Sequence, residues 1–134
     1  MSNRTEKSKV VIKAWGREEI LINGDLYCCK RLIVNPGYQC SVHRHLSKDE
    51  TFVIESGYGW CIVNDRAVEL LVGSIVEIPP RTWHSFWCPA GEEFPLVMLE
   101  VSTHHDDADV ERRSKSGPLI EPLRCPAPEE APSG

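Results

Sequence analysis

Between residues 10 and 102 the chain alternates short apolar or β-branched runs with clusters of turn-forming residues. The runs fall at 10–14, 19–22, 26–34, 40–45, 51–55, 59–63, 67–71, 74–78, 84–88 and 96–101. Between them stand Asn23-Gly24-Asp25, Asn35-Pro36-Gly37, Ser56-Gly57, Asn64-Asp65, Gly73, Pro79-Pro80 and Pro89-Ala90-Gly91. Short strands at this spacing predict an all-β fold, either a sandwich or a closed antiparallel barrel. No segment carries the period of a long amphipathic helix, which argues against strands linked by helices.

The ends read differently. Residues 1–9 form a polar arm, 10–113 the barrel, and 114–134 a proline-rich tail. Five of the ten prolines (Pro118, Pro122, Pro126, Pro128 and Pro132) lie from Gly117 onward. Such a stretch has no apolar pattern from which to build a core, so it is expected to be flexible. Residues 110–113, after the acidic run 104–109, read as a short helical turn or a loop.

Composition narrows the function classes. At 134 residues the chain suits one domain. The formal charge is −5 and no stretch gathers Lys and Arg, which argues against a nucleic-acid partner. No apolar run approaches the ~20 residues that span a bilayer, and residues 1–9 lack an apolar signal core. The expected location is the cytoplasm. There Cys28, Cys29, Cys40, Cys61, Cys88 and Cys125 are expected as free thiols, and no C-x-x-C pair suggests a zinc site.

The chemistry concentrates at residues 37–50 and 73–84. His43 and His45 are two apart, so on a strand both rings project to one face. Glu50 follows a short polar turn and opens the next run. If the two strands pair, the carboxylate returns beside the imidazoles. His84 stands just after Pro79-Pro80 and opens another strand. Imidazoles with a carboxylate suit Mn, Zn, Fe, Ni or Co as divalent ions. The spacing does not choose among them.

These residues resemble the two motifs of the cupin superfamily. The first, with Gly37, His43, His45, Glu50 and Gly57, is complete. The second keeps Gly73, Pro79 and His84 but carries Arg81 in place of a turn glycine and Cys88 in place of an asparagine. Arg81 implies a turn that avoids the glycine-only conformation, or a cation at the rim. The resemblance implies a jelly-roll β-barrel with a metal held by His43, His45, Glu50 and His84.

The flanks extend it from Trp15 to about Arg113. Trp15-Gly16 with Glu18, Lys30 before the first motif, and Glu100-Val101-Ser102 followed by Asp106, Asp107 and Arg112 resemble D-lyxose isomerase-like proteins. They are also similar to the cupin domain of type II mannose-6-phosphate isomerases. The implied activity is aldose–ketose isomerisation of a sugar or sugar phosphate, with the metal stabilising an enediolate and a carboxylate moving the proton. Glu100 is the expected base, Glu77 the reserve, and Lys30 a cation steadying a hydroxyl or phosphate. Asp109 and Arg112 are candidates for closing the barrel mouth. His104 and His105 read as loop residues, and Cys88, sharing parity with His84, as a cavity residue. Two other classes stay open: a non-haem Fe(II) dioxygenase, and a non-catalytic sugar-binding module. A homodimer is expected, with the strand at 10–14 as contact.

Overall fold

The computed structural model describes residues 8–119. Among them every element is a strand: β1 (Lys9–Lys13), β2 (Gly16–Asn23), β3 (Cys28–Val34), β4 (Tyr38–Gln39), β5 (His43–Arg44), β6 (Glu50–Ser56), β7 (Gly59–Val63), β8 (Arg66–Leu70), β9 (Ile75–Ile78), β10 (His84–Cys88), β11 (Leu96–Ser102), β12 (Glu111–Arg112) and β13 (Gly117–Pro118). No helix is long and apolar enough to cross a membrane.

Two antiparallel sheets face each other. One has the order β1-β2-β3-β11-β6-β9. In the other, β10 has β7 and then β8 on one side, and β4 and β5 on the other, with β13 and β12 outside them. Strict alternation puts Leu32 and Val34 of β3, Phe52 and Ile54 of β6, and Leu96 and Met98 of β11 inward. There they meet Trp15, Cys61, Leu70, Ile78 and Phe86 in one core.

The same inward parity turns polar toward one end of the barrel. On β3 it reaches Lys30, on β11 Glu100 and on β6 Glu50, all buried. Lys30 and Glu100 lie directly opposite each other in the ladder. The fold therefore has an apolar end and a charged end on one continuous inner surface.

Two glycines are required by this packing. At Gly57 (φ +84°) an added Cβ would stand 2.1 Å from the carbonyl oxygen of Pro95, and at Gly16 (φ +152°) 1.9 Å from that of Ile33. Gly57 closes the first motif, so that glycine marks where β6 hands over to β7 against the start of β11.

Three local expectations change. The run at 40–45 is not one strand: four residue steps separate Gln39 from His43, while three separate their partners Trp87 and His84. The extra residue is a bulge. Residues 111–112 are a strand on β5, not a helical turn. Residues 114–119, assigned to the tail by composition, are tied to the barrel. β13 pairs with β4, and the Leu119 amide donates to the Gly37 carbonyl at 2.9 Å. The arm at 1–7 and the tail at 120–134, with Cys125, lie outside the described residues. Cys28, Cys29, Cys40, Cys61 and Cys88 are free thiols.

Candidate metal centre and cavity

The antiparallel pairing of β5 with β10 sets His43 directly opposite His84. His45 follows two residues on. Their ring centroids lie 4.3 Å (His43–His84), 5.1 Å (His43–His45) and 5.9 Å (His45–His84) apart. One ring nitrogen from each lies within 4.8 Å of the others, a group able to hold a metal ion.

Backbone carbonyls fix the tautomers. The Nδ1 atoms of His43, His45 and His84 lie 2.8, 2.7 and 2.9 Å from the carbonyl oxygens of Ser41, Asp109 and Thr82. A carbonyl only accepts, so each Nδ1 carries a proton, and in the neutral ring Nε2 is left with the lone pair. Burial, reinforced by His84, lowers the pKa of His43 to about 3. Burial also lowers that of His45, against the pull of Glu50. Both imidazoles are thus neutral at neutral pH, the form that ligates.

β6 opens with Glu50 at this cluster. Its Oε2 lies 3.1 Å from His84 Nε2 and 3.6 Å from His45 Nε2. Burial pushes the carboxyl pKa up, but His84, Lys48 and His45 outweigh it and hold Glu50 ionised. Glu50 Oε2 and His84 Nε2 are both sealed from solvent without an aligned hydrogen-bond partner. Two buried unpaired polar atoms are costly. A divalent cation between them would satisfy both, so the donor set fits the group that the motif implies.

The cluster sits in a cavity of about 450 Å³ whose wall includes Trp15, Glu18, Lys30, Lys48, Glu100 and Arg112. Glu100 Oε2 is 2.5 Å from Lys48 Nζ, and Lys48 Nζ is 3.5 Å from Glu50 Oε1. Burial first, then the charge of Glu50, raises the pKa of Glu100; Lys48 and Lys30 oppose the rise. Lys30 Nζ meets Glu18 Oε1 at 3.5 Å.

Five of the six singled-out residues (Lys30, His43, His45, Glu50 and Glu100) therefore line one cavity, and the sixth, His84, is buried behind them against His43 and Glu50. Lys48 was missed, and Glu18 was noted only as part of the flanking motif. Lys48 carried a readable signal: it keeps the parity of Glu50, Phe52 and Ile54 and is buried like them. His105, read as a loop residue, lines the cavity with Nδ1 3.0 Å from Lys48 Nζ. His104 does stay in the loop, its Nδ1 donating to the Gly24 carbonyl at 2.9 Å.

Several expectations are corrected. Asp109 does not close the mouth; its carboxylate accepts from the amides of Leu46, Ser47 and Lys48, and its carbonyl holds His45. Glu77 is exposed on the outer face with Ile75. Cys88 keeps the inward parity of β10 but is buried in the apolar core, away from the cavity lining, whereas Cys40 lines the cavity. Arg81 does adopt the left-handed conformation, at φ 67°. Its amide donates to the His45 carbonyl at 2.6 Å, tying one motif to the other. Trp83 lies outside the cavity lining, with the Arg44 and Arg113 guanidinium carbons 4.7 and 3.9 Å from its ring centroid.

Comparison with known proteins adds three findings. A family model described as "Cupin domain" matches residues 30–102. Among curated proteins, a D-lyxose ketol-isomerase of Thermofilum is 30% identical over 128 residues, covering 75% of this chain and 70% of the relative. A mannose-1-phosphate guanylyltransferase of Sinorhizobium fredii is 27% identical over 108 residues; the match covers 81% of this chain but only 21% of that enzyme. Among solved structures, a variant of Streptomyces PAC13 with uridine gives a TM-score of 0.69 at 16% identity. It covers 86% of this chain and 93% of that one, a likeness of fold.

Proposed function

This chain belongs to the cupin family, and from that premise we propose that it handles a sugar or sugar phosphate as a metal-dependent aldose–ketose isomerase. The observation that carries the reading is the buried Glu100 carboxylate, which shares the cavity of His43, His45 and Glu50. The sugar-isomerase relatives support it. A divalent cation bound there would polarise adjacent carbonyl and hydroxyl oxygens of the sugar.

Glu100 is the proposed base. It takes the proton from C2 of the aldose and returns it to C1 while the O2 hydroxyl proton passes to O1, so the carboxylate ends the cycle as it began. A buried carboxyl with a raised pKa is a better proton acceptor than an exposed one. Lys48, against Glu100 and Glu50, holds both carboxylates in place. Lys30, held by Glu18, is the proposed cation for a hydroxyl or phosphate of the sugar.

The test is proton exchange. Metal-loaded protein is incubated with pentoses, hexoses and their phosphates in D₂O, and deuterium at C1 or C2 is read by NMR. Glu100→Gln should lower exchange about 10² to 10⁴-fold and leave metal content intact. If no aldose exchanges a proton, the isomerase reading is wrong. The match to one fifth of a guanylyltransferase favours a second reading, a sugar-binding module without turnover. Sugar binding without exchange would select it.

A further inference from the structure

Residues 111–119 form a strap along the outer edge of β5 and β4. β12 places Glu111 opposite Arg44 and Arg112 opposite His43. Side chains opposite each other on paired strands share a face, so Arg112 projects with His43 into the cavity, while its neighbours turn outward. The outward pair anchors the strap: Arg44 Nε donates to Glu111 Oε1 at 2.7 Å, and Arg113 stacks on Trp83.

Beyond Arg112 the ladder is completed by side chains. The amides of Val42 and Ser41 donate to Oγ of Ser114 and Oγ of Ser116, each at 2.8 Å. A hydroxyl that accepts from an amide keeps its own proton to donate. Arg112, Ser114, Lys115 and Ser116 all line the cavity.

Charge is divided across this cavity. Lys30 and Lys48 each lie against a carboxylate, Glu18 for the first, Glu50 and Glu100 for the second. Lys13 Nζ lies 3.9 Å from Glu18. Asp107 is turned to His105 at 2.8 Å. Arg112 and Lys115 have no carboxylate partner among the described residues. One wall thus presents a guanidinium, an ammonium and two hydroxyl donors without a matching acceptor, in a chain of net charge −5.

We infer that this strap is an anion subsite: Arg112, Lys115, Ser114 and Ser116 bind the phosphate or carboxylate of an anionic sugar whose other end lies toward the three histidines. The planar guanidinium fork suits either group. Three residue steps of extended chain carry the strap about 10 Å from its start beside His43. The cavity is within the ordinary range for a small-molecule site. This inference rests on the sugar-handling reading of the same cavity.

The experiment is calorimetric titration of the metal-loaded full chain with D-mannose, D-mannose 6-phosphate and D-mannuronate, beside the D₂O exchange assay. The native protein should bind at least one anionic sugar about 10- to 100-fold tighter than the neutral one. The preferred anion identifies phosphate or carboxylate. In Arg112→Gln/Lys115→Gln that ratio should fall to near one, with native melting temperature and metal content as the check on folding. Equal affinities in the native protein, absence of binding by any of the three, or an anion preference kept by the double variant would overturn the inference. Arginine- and lysine-dependent anion binding without deuterium exchange keeps the subsite and removes the isomerase. Exchange on neutral sugar with no anion preference does the reverse.

Discussion

Replacing Lys48 by Met isolates the charge arrangement on which the cavity depends. The ammonium is almost fully buried, 2.5 Å from Glu100 and 3.5 Å from Glu50. Its removal leaves two buried carboxylates in one cavity. Breaking a buried ion pair by deleting one partner costs about 3–5 kcal/mol. The upper half of that range is expected here, because one cation serves two anions. Some of the cost is recoverable by protonation. The pKa of Glu100 is raised by burial and by Glu50, and Lys48 is among the groups that restrain it. A carboxyl whose folded pKa exceeds its unfolded value loses stability as pH rises through that window, and regains it on acidification. Lys48→Met should therefore be most destabilising near pH 8 and less so near pH 5.5. Lys48→Met/Glu100→Gln removes one of the two uncompensated charges and should recover more than 1.5 kcal/mol relative to additivity, roughly half of a typical buried-pair penalty. Urea unfolding followed by tryptophan fluorescence at both pH values measures this. A cost below about 1 kcal/mol that is the same at both pH values, or simple additivity in the double variant, would refute the reasoning.

Other outcomes follow from single features. His43→Ala/His84→Ala should abolish stoichiometric divalent metal by elemental analysis, and unchanged metal content would show that the ligands lie elsewhere. Arg81 sits at φ 67°, so Arg81→Gly should relieve about 0.5–1 kcal/mol net of the added chain entropy; a lower melting temperature would mean that the arginine side chain contributes more than its backbone costs. β1 is one edge of its sheet and exposes Val10 and Ile12. Such an edge needs covering, and we expect a second copy to cover it. Light scattering should give a dimer for the native chain and a monomer for Ile12→Glu, whereas a monomeric native chain rules the contact out.

The legibility of this molecule in its sequence follows the range of each interaction. The strand runs, and Glu100 beside Met98 on one of them, were readable because alternation within one strand needs no knowledge of its neighbours; Glu50 and Lys30 were singled out through the motif resemblance. His84 was readable beside His43 only through the motif resemblance, since 41 positions of chain separate two residues that the ladder sets face to face. Parity gave the face of Cys88 but not how far along it the cavity reaches, and the bulge between Gln39 and His43 hid Cys40, which does line the cavity. A bulge leaves no mark in an apolar–polar pattern, because the residue it adds is an ordinary one. Asp109 was misassigned for a related reason. A carboxylate in a charged run looks solvated, and only the folded loop shows three amides converging on it. The strap is the clearest instance. Its prolines and lack of an apolar pattern argued for a tail, yet serine hydroxyls stand where carbonyls would complete the ladder, a substitution that composition disguises as disorder. The same exchange frees the cavity wall from a regular strand's demand for backbone pairing and supplies it with hydroxyl donors. A segment that a core-based argument discards can therefore be the part of the chain that selects the ligand, since it needs only an edge to dock on and not a core of its own.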